Sequence, residues 1–460
     1  MTVVDVFAVE TSNAAERKRE GSMNHRWRWI PQTEVKAMKR IRITRCLLMF
    51  SAIATLAWAA SAAAQTVVVG TGNPELDVPA VQAAVDQGGE VLLKGYFSFD
   101  RPPTVPTAPE LAVQTGSFAT VLVSKAVVIS GAQDDDEEMA SIEAGTIPFY
   151  VDAPGASVTI QGLRFIRPKA DAVLVYSVSG LVIASCQIEG LEPVLGGAAG
   201  IAIITLSGTP TPMKPGKPEN ISGTLLIVDN DINAAGGTAA DIALGIAIFS
   251  VGVPGAEVEA YISGNTIRNV NEPAININRI VGQVYVEQNA ITTGSLGLMG
   301  RIQAIRIVNL GSYLIAHNSI DCGWAQGNAQ GIGVFSQFAA WPMEGAVVVD
   351  NDITMSAPED TVFSDFSAAI TVFGFAEGNV VQNNRIRGRA RAGLSVPVFP
   401  NAPSAVPTNN AFVHNHFVDF EASVADVFVG PTALNTLIVG PGTVDDLGTG
   451  TIIVNPAAPW

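Results

Sequence analysis

The side chains with chemistry to offer sit at equal offsets in successive repeats. His317 and Asp350 each stand directly before an asparagine of a recurring phrase. An imidazole oriented by a carboxylate is the pairing of a general base, although a solvated surface pair is the plainer reading and no nucleophile accompanies it. Asn276 and Arg306 occupy one position in two successive apolar segments, AININRI (274–280) and AIRIVNL (304–310). Arg279 and Asn309 share another, near the ends of the same segments. Arginine beside an asparagine amide suits sugar hydroxyls or a carboxylate; the alternative is a polar break in a hydrophobic wall. Trp324 and Trp341 flank the next segment, GIGVFSQ (331–337). Their indoles could pack on sugar rings or, as loop tryptophans often do, on their own body.

These offsets have meaning only if successive repeats stack. The phrase LLIVDNDI (225–232) returns as AYISGNTI, QVYVEQNAI, SYLIAHNSI, AVVVDNDI, NVVQNNRI and NAFVHNHF, aligning Asn230, Asn265, Asn289, Asn318, Asn351, Asn384 and Asn415 at spacings of 35, 24, 29, 33, 33 and 31 residues. A wandering period around a constant phrase marks one structural unit with variable loops. Before each phrase lies a second alternating run rich in Val and Ile, so every unit holds at least two short strands. Strands that return once per turn, with no helix between them, pair in parallel with their equivalents when the chain coils, and parallel connections are right-handed. The expectation is all-β: a right-handed parallel β-helix, with Ile201, Ile246, Ile275, Ile305, Ile332, Ile370 and Leu394 stacked inside at ~4.8 Å per turn. Counting from VVIS (127–130) to TLIVG (436–440) gives eleven turns. The stacked asparagines read as a structural amide ladder.

On these residues the chain resembles the parallel β-helix repeat of the pectate-lyase-like superfamily over roughly 70–450. The resemblance is specific for fold and nearly silent on function. Enzymes of that kind use clustered carboxylates for calcium and an arginine as base, which would make Arg306 a weak catalytic candidate beside His317 and Asp350. The two VDND phrases lie too many turns apart to share an ion, and the acidic loop Asp134–Glu138 offers only a loose calcium site. His317, His414 and His416 lack partners at metal-ligand spacing. No metal or other cofactor is therefore expected, calcium being the weak exception.

Residues 38–64 run from basic MKRIRITR through apolar CLLMFSAIATLAWAA to SAAA, the order of a secretory signal peptide cleaved after Ala64. The expected mature chain keeps 16 basic and 37 acidic residues, from 26 − 10 and 42 − 5. That charge repels nucleic acid and anionic membranes. Cys186 and Cys322 fall four turns apart, too far for a disulfide, so two buried free thiols are expected. The expected organisation is 1–64 extension and signal peptide, 65–120 N-terminal cap and first turns, 121–442 coil, and 443–460 C-terminal cap. A short capping helix is read over 76–89, begun by Asp77.

The outward column of the first strands is otherwise small or apolar (Leu174, Ala202, Ala247, Gly333, Thr371, Ser395), giving clearance around Asn276 and Arg306. The long loops 207–220, 337–345 and 399–409 leave from equivalent corners and could wall a groove. The leading expectation is an exported protein, periplasmic or secreted, that binds or cleaves an extracellular polysaccharide. The alternatives are a non-catalytic envelope or adhesin-like module and a periplasmic accessory protein.

Overall fold

The computed structural model describes residues 65–101, 119–132, 138–145, 147–192, 197–204, 217–235, 242–294, 301–323, 328–400, 402–440 and 442–455, and the backbone of 6–8 and 28–30. Contacts divide the chain into two units, Met1–Ala64 and Gln65–Trp460. In the first, Val6–Ala8 pairs antiparallel with Arg28–Ile30. The signal-peptide segment lies outside the described residues.

The second unit is a parallel β-helix. One turn shows how the sequence builds it. In Val258–Ser263, Val258, Ala260 and Ile262 are buried while Glu259, Tyr261 and Ser263 are half-exposed, the period-two pattern of a strand with one face inside. Gly264 then takes a left-handed φ of 68°, which turns the chain and drops Asn265 into the interior. Thr266–Val270 and Ile275–Ile280 follow, and Gly282–Glu287 returns beside Val258–Ser263 in parallel register. Among the described residues, fourteen strands of this returning kind form one continuous sheet from Thr66–Val69 to Ile452–Val454. Counting in sequence from Val127 to Gly440 omits three of them, two at the amino-terminal end and one at the carboxy-terminal end.

The inward column is in register turn after turn: Val173, Ile201, Ile246, Ile275, Ile305, Ile332, Ile370, Leu394 and Val427. All are buried. Each is worth about 1.5–3 kcal/mol relative to exposure. Cys186 and Cys322 are free and buried, and burial pushes both thiols up to about 12.

The ends differ in detail from the sequence reading. Helix α1 spans Pro74–Gln87 and begins earlier than expected, because Asn73 accepts the Glu75 N–H and Pro74 suits the first helical position. Asp77 is not the cap. Buried, it accepts from Thr71 N and Oγ1 and from Ser98 N, tying the helix to the first turns. The tail lies in the coil rather than across its end. Val444–Asp446 pairs with Val427–Val429, and Ile452–Val454 pairs with Leu437–Val439, leaving Ile452, Ile453 and Val454 exposed on the last strand.

Candidate functional site

The asparagine corner is satisfied by the chain itself. From Asn230 to Asn384, each Nδ2 donates to the Oδ1 of the asparagine one turn later at 2.9 Å. A second Nδ2 bond goes to a backbone carbonyl of the preceding turn, such as Val286 O for Asn318. The same Oδ1 also accepts a backbone N–H, as Asn318 Oδ1 does from Asn289 N. Asn379 and Asn410 repeat the arrangement at another corner. Cys186 holds the asparagine position of its turn and gives its N–H to Asn230 Oδ1.

His317 and Asp350 belong to that corner. The residues before the ladder positions (Ser185, Asp229, Gly264, Gln288, His317, Asp350, Asn383 and His414) all take φ between 50° and 68°. This left-handed bend favours Gly, Asn, Asp and His, so backbone geometry accounts for much of the column's composition. His317 Nδ1 and Asp350 Oδ2 lie 4.0 Å apart with both side chains about a third exposed, beyond hydrogen-bond distance. The geometry supplies a loose surface pair.

The outward column of the first strands is in the expected register: Leu174, Ala202, Ala247, Asn276, Arg306, Gly333, Thr371 and Ser395 pair in succession. The clearance read from the small residues is not there. Asn276 is 6% exposed, Thr371 0% and Ser395 1%. Large side chains crowd the column, several of them (Tyr176, Phe249, Phe335 and Phe373) two residues along the same strands. Tyr150, Tyr176 and Phe249 pack with Leu174, Ala202 and Ala247 toward the amino-terminal turns. Phe335, Phe373 and Phe399 pack together toward the carboxy-terminal ones. Arg306, half-buried, places its guanidinium carbon 5.4 Å from the centre of the Phe335 ring. A Cβ at Gly333 would come within 2.9 Å of Gln330 Oε1 and 3.4 Å of Gln303 Nε2. The missing side chain thus leaves room for those two amides, which hydrogen-bond to each other.

Between and beside these apolar clusters the face is polar and incompletely paired. Asn276 Oδ1, Thr371 Oγ1, Ser395 Oγ and Ser367 Oγ are buried without a hydrogen-bond partner. Each such group costs about 1–3 kcal/mol unless something satisfies it. Gln303 and Gln330 were missed in sequence, although both stand three residues before the column, at Arg306 and Gly333.

Arg279 and Asn309 share the next corner, again with left-handed φ of 55° and 63°. Asn309 is satisfied: Nδ2 donates to Asn278 Oδ1, and Oδ1 accepts from Ser336 Oγ and Gln337 N. It is buried and holds the corner. Arg279 lies 4.5 Å from the centre of the Trp341 ring, which also packs edge-on against Phe338. Trp341 therefore packs on its own body. Trp324, the acidic residues 134–137 and most of loop 207–220 lie outside the described residues.

One buried acid also escaped the sequence reading. Asp171 accepts the Ala199 N–H of the next turn at 2.8 Å, and burial pushes its carboxyl up to about 7. Asn271 makes the same kind of bond to Ala243 N, so Asp171 is a corner acceptor. Among the described residues no three of His, Cys, Asp and Glu converge as a metal site.

No family model matches the sequence, and no curated protein matches it. Solved structures do. The surface adhesin PfbA of Streptococcus pneumoniae superposes with a TM-score of 0.52 at 12% identity, covering 85% of this chain and 100% of that one. The tailspike protein of E. coli bacteriophage HK620, solved in complex with a pentasaccharide, gives 0.39 at 12% identity, covering 84% and 76%. The A-module of the Azotobacter vinelandii mannuronan C-5 epimerase AlgE6 gives 0.31 at 14% identity, covering 84% and 98%. At such identities the likeness is one of fold.

Proposed function

We propose that this parallel β-helix repeat protein is exported and binds an extracellular polysaccharide along the outer face of its first strands, around Asn276, Arg306, Thr371 and Ser395. One observation carries the reading: on a single face, several turns present buried side-chain oxygens with no partner in the chain. Buried polar groups are normally paired, and a hydroxyl-bearing polymer lying along the coil would meet one turn every ~4.8 Å. Arg306 would lift from Phe335 to meet a carboxylate or hydroxyl, and Arg279 over Trp341 would border the site. Export rests on the basic, apolar and Ala-x-Ala order of residues 38–64.

The test is a glycan array with parallel turnover assays on uronate and neutral polysaccharides, repeated with Arg306→Ala and Asn276→Ala. Binding that weakens in both variants, most for acidic glycans in Arg306→Ala, supports the reading. Wild-type affinity in both removes it. A second reading, a non-catalytic envelope module, is favoured by the exposed last strand at Ile452–Val454; it would lead if no glycan bound.

A further inference from the structure

The long sheet carries a groove of 660 Å³ where four successive strands begin. Strand register explains its lining. Thr224, Glu259, Gln283 and Ser312 are paired in one outward column over four turns. Two residues further along the same strands, Leu226, Tyr261, Tyr285 and Leu314 form a second, parallel column. A polar strip therefore runs beside an apolar, aromatic one for three turn spacings, about 14 Å.

The two strips are locked to each other. The Tyr261 and Tyr285 rings stack with centres 4.7 Å apart and planes within 9°. Their hydroxyls donate to Glu259 Oε1 at 2.5 Å and Gln283 Oε1 at 2.6 Å. Thr224, Gln283 and Ser312 are exposed and Glu259 is half-buried, so the strip is accessible. Glu257 adds a second carboxylate at the rim, held below its usual range by the Gly255 N–H.

The strands lining the groove are each paired on both sides. A peptide cannot add a strand there, and recognition must go through side chains. Hydroxyl, carboxylate, amide and hydroxyl in a row can give and take bonds from a polyhydroxyl ligand, and the neighbouring strip offers apolar surface to ring C–H groups. Two carboxylates, on a chain already strongly acidic, disfavour an anionic ligand. We infer that this groove is a second glycan site, separate from the face around Arg306, that takes an uncharged oligosaccharide lying along the coil axis.

The test titrates the full chain by calorimetry with cellohexaose, xylohexaose and mannohexaose, and with tetragalacturonate as the acidic counterpart. At least one neutral hexaose should bind, and should still bind in an Arg306→Ala background, where Tyr285→Ala should weaken it about tenfold. Glu259→Gln keeps an acceptor for Tyr261 and should reduce the discrimination against tetragalacturonate in an Arg306→Ala background. If Tyr285→Ala loses its cooperative melt, Gln283→Ala and Tyr285→Phe decide in its place, with the same direction expected. Failure of all three neutral hexaoses to bind, or binding that none of the groove variants alters, overturns the inference. Neither result bears on the Arg306 face, which is read by its own variants.

Discussion

Two sets of aligned polar residues run along this coil, and they differ in completeness. At the inner corner the same residue recurs seven times, and both ends of each side chain from Asn265 to Asn384 are bonded to the chain. On the outer first-strand face the residue type varies, changing at every turn from Ala247 to Ser395, and oxygens of Asn276, Thr371 and Ser395 have no partner. A uniform column is a device that serves every turn alike. A column that varies over a few turns and leaves polar atoms unpaired carries no such common device, and on the reading proposed above it is the one that meets a ligand.

Breaking the ladder should have the largest effect. Asn318→Leu removes two donated bonds and leaves Asn289 N and Nδ2 without their acceptor. We expect urea denaturation to show a loss of about 3 kcal/mol or more. Asn276→Leu, which removes an unpaired oxygen, should cost less than a third of that. Equal losses would erase the distinction between the two sets.

Next comes the outer face itself. Arg306→Ala should lose a charge-assisted contact to an acidic glycan, about 1.5–3 kcal/mol in calorimetric titration. Its melting temperature should stay within a few degrees of the parent.

Asp171 sharpens the comparison by pH. Burial raises its carboxyl from 3.8 to about 7, so the folded state holds the proton more tightly than the unfolded one. The stability this contributes is complete below about pH 4 and is lost as pH rises through 7. Asp171→Asn keeps an acceptor for Ala199 N and avoids that loss. Its melting temperature should exceed the parent's by a few degrees at pH 8 and approach it at pH 4, as thermal melts across that range would show.

The smallest effect tests the ladder's boundary. Cys186 occupies the asparagine position, its Sγ 3.8 Å from Ile160 O, the place an amide would donate to. Cys186→Asn should bond Ile160 O and Asn230 Oδ1, extending the row and adding about 1 kcal/mol in urea denaturation.

The fold was legible because one phrase repeats, with a second alternating run of Val and Ile before it; that the position before each asparagine is a left-handed bend was not read. Register was legible too: equal offsets placed Asn276 beside Arg306 and Arg306 beside Gly333. Burial was not. Offsets report neighbours along the axis, but what lies over a position depends on side chains two residues along the neighbouring strand. Phe335 beneath Arg306 is an example. Gly333 looked like space for a ligand, and Gln303 and Gln330 fill it. The groove at Glu259 and Gln283 also went unread, because its members sit inside the asparagine strands whose repetition drew attention to the fold.

The amide row has one further property: it points. From Asn230 to Asn384 one Nδ2–H of each amide is aimed at the following turn and the Oδ1 at the preceding one, so these amide-to-amide bonds align head to tail and can polarise one another. The row therefore has an electronegative end at Asn230 and an electropositive end at Asn415, whose own Nδ2 donates back to Val381 O. A residue that only accepts, such as aspartate, would interrupt the row anywhere but at its carboxy-terminal member. The two ends of the row are thus electrically distinct, although every member is the same residue.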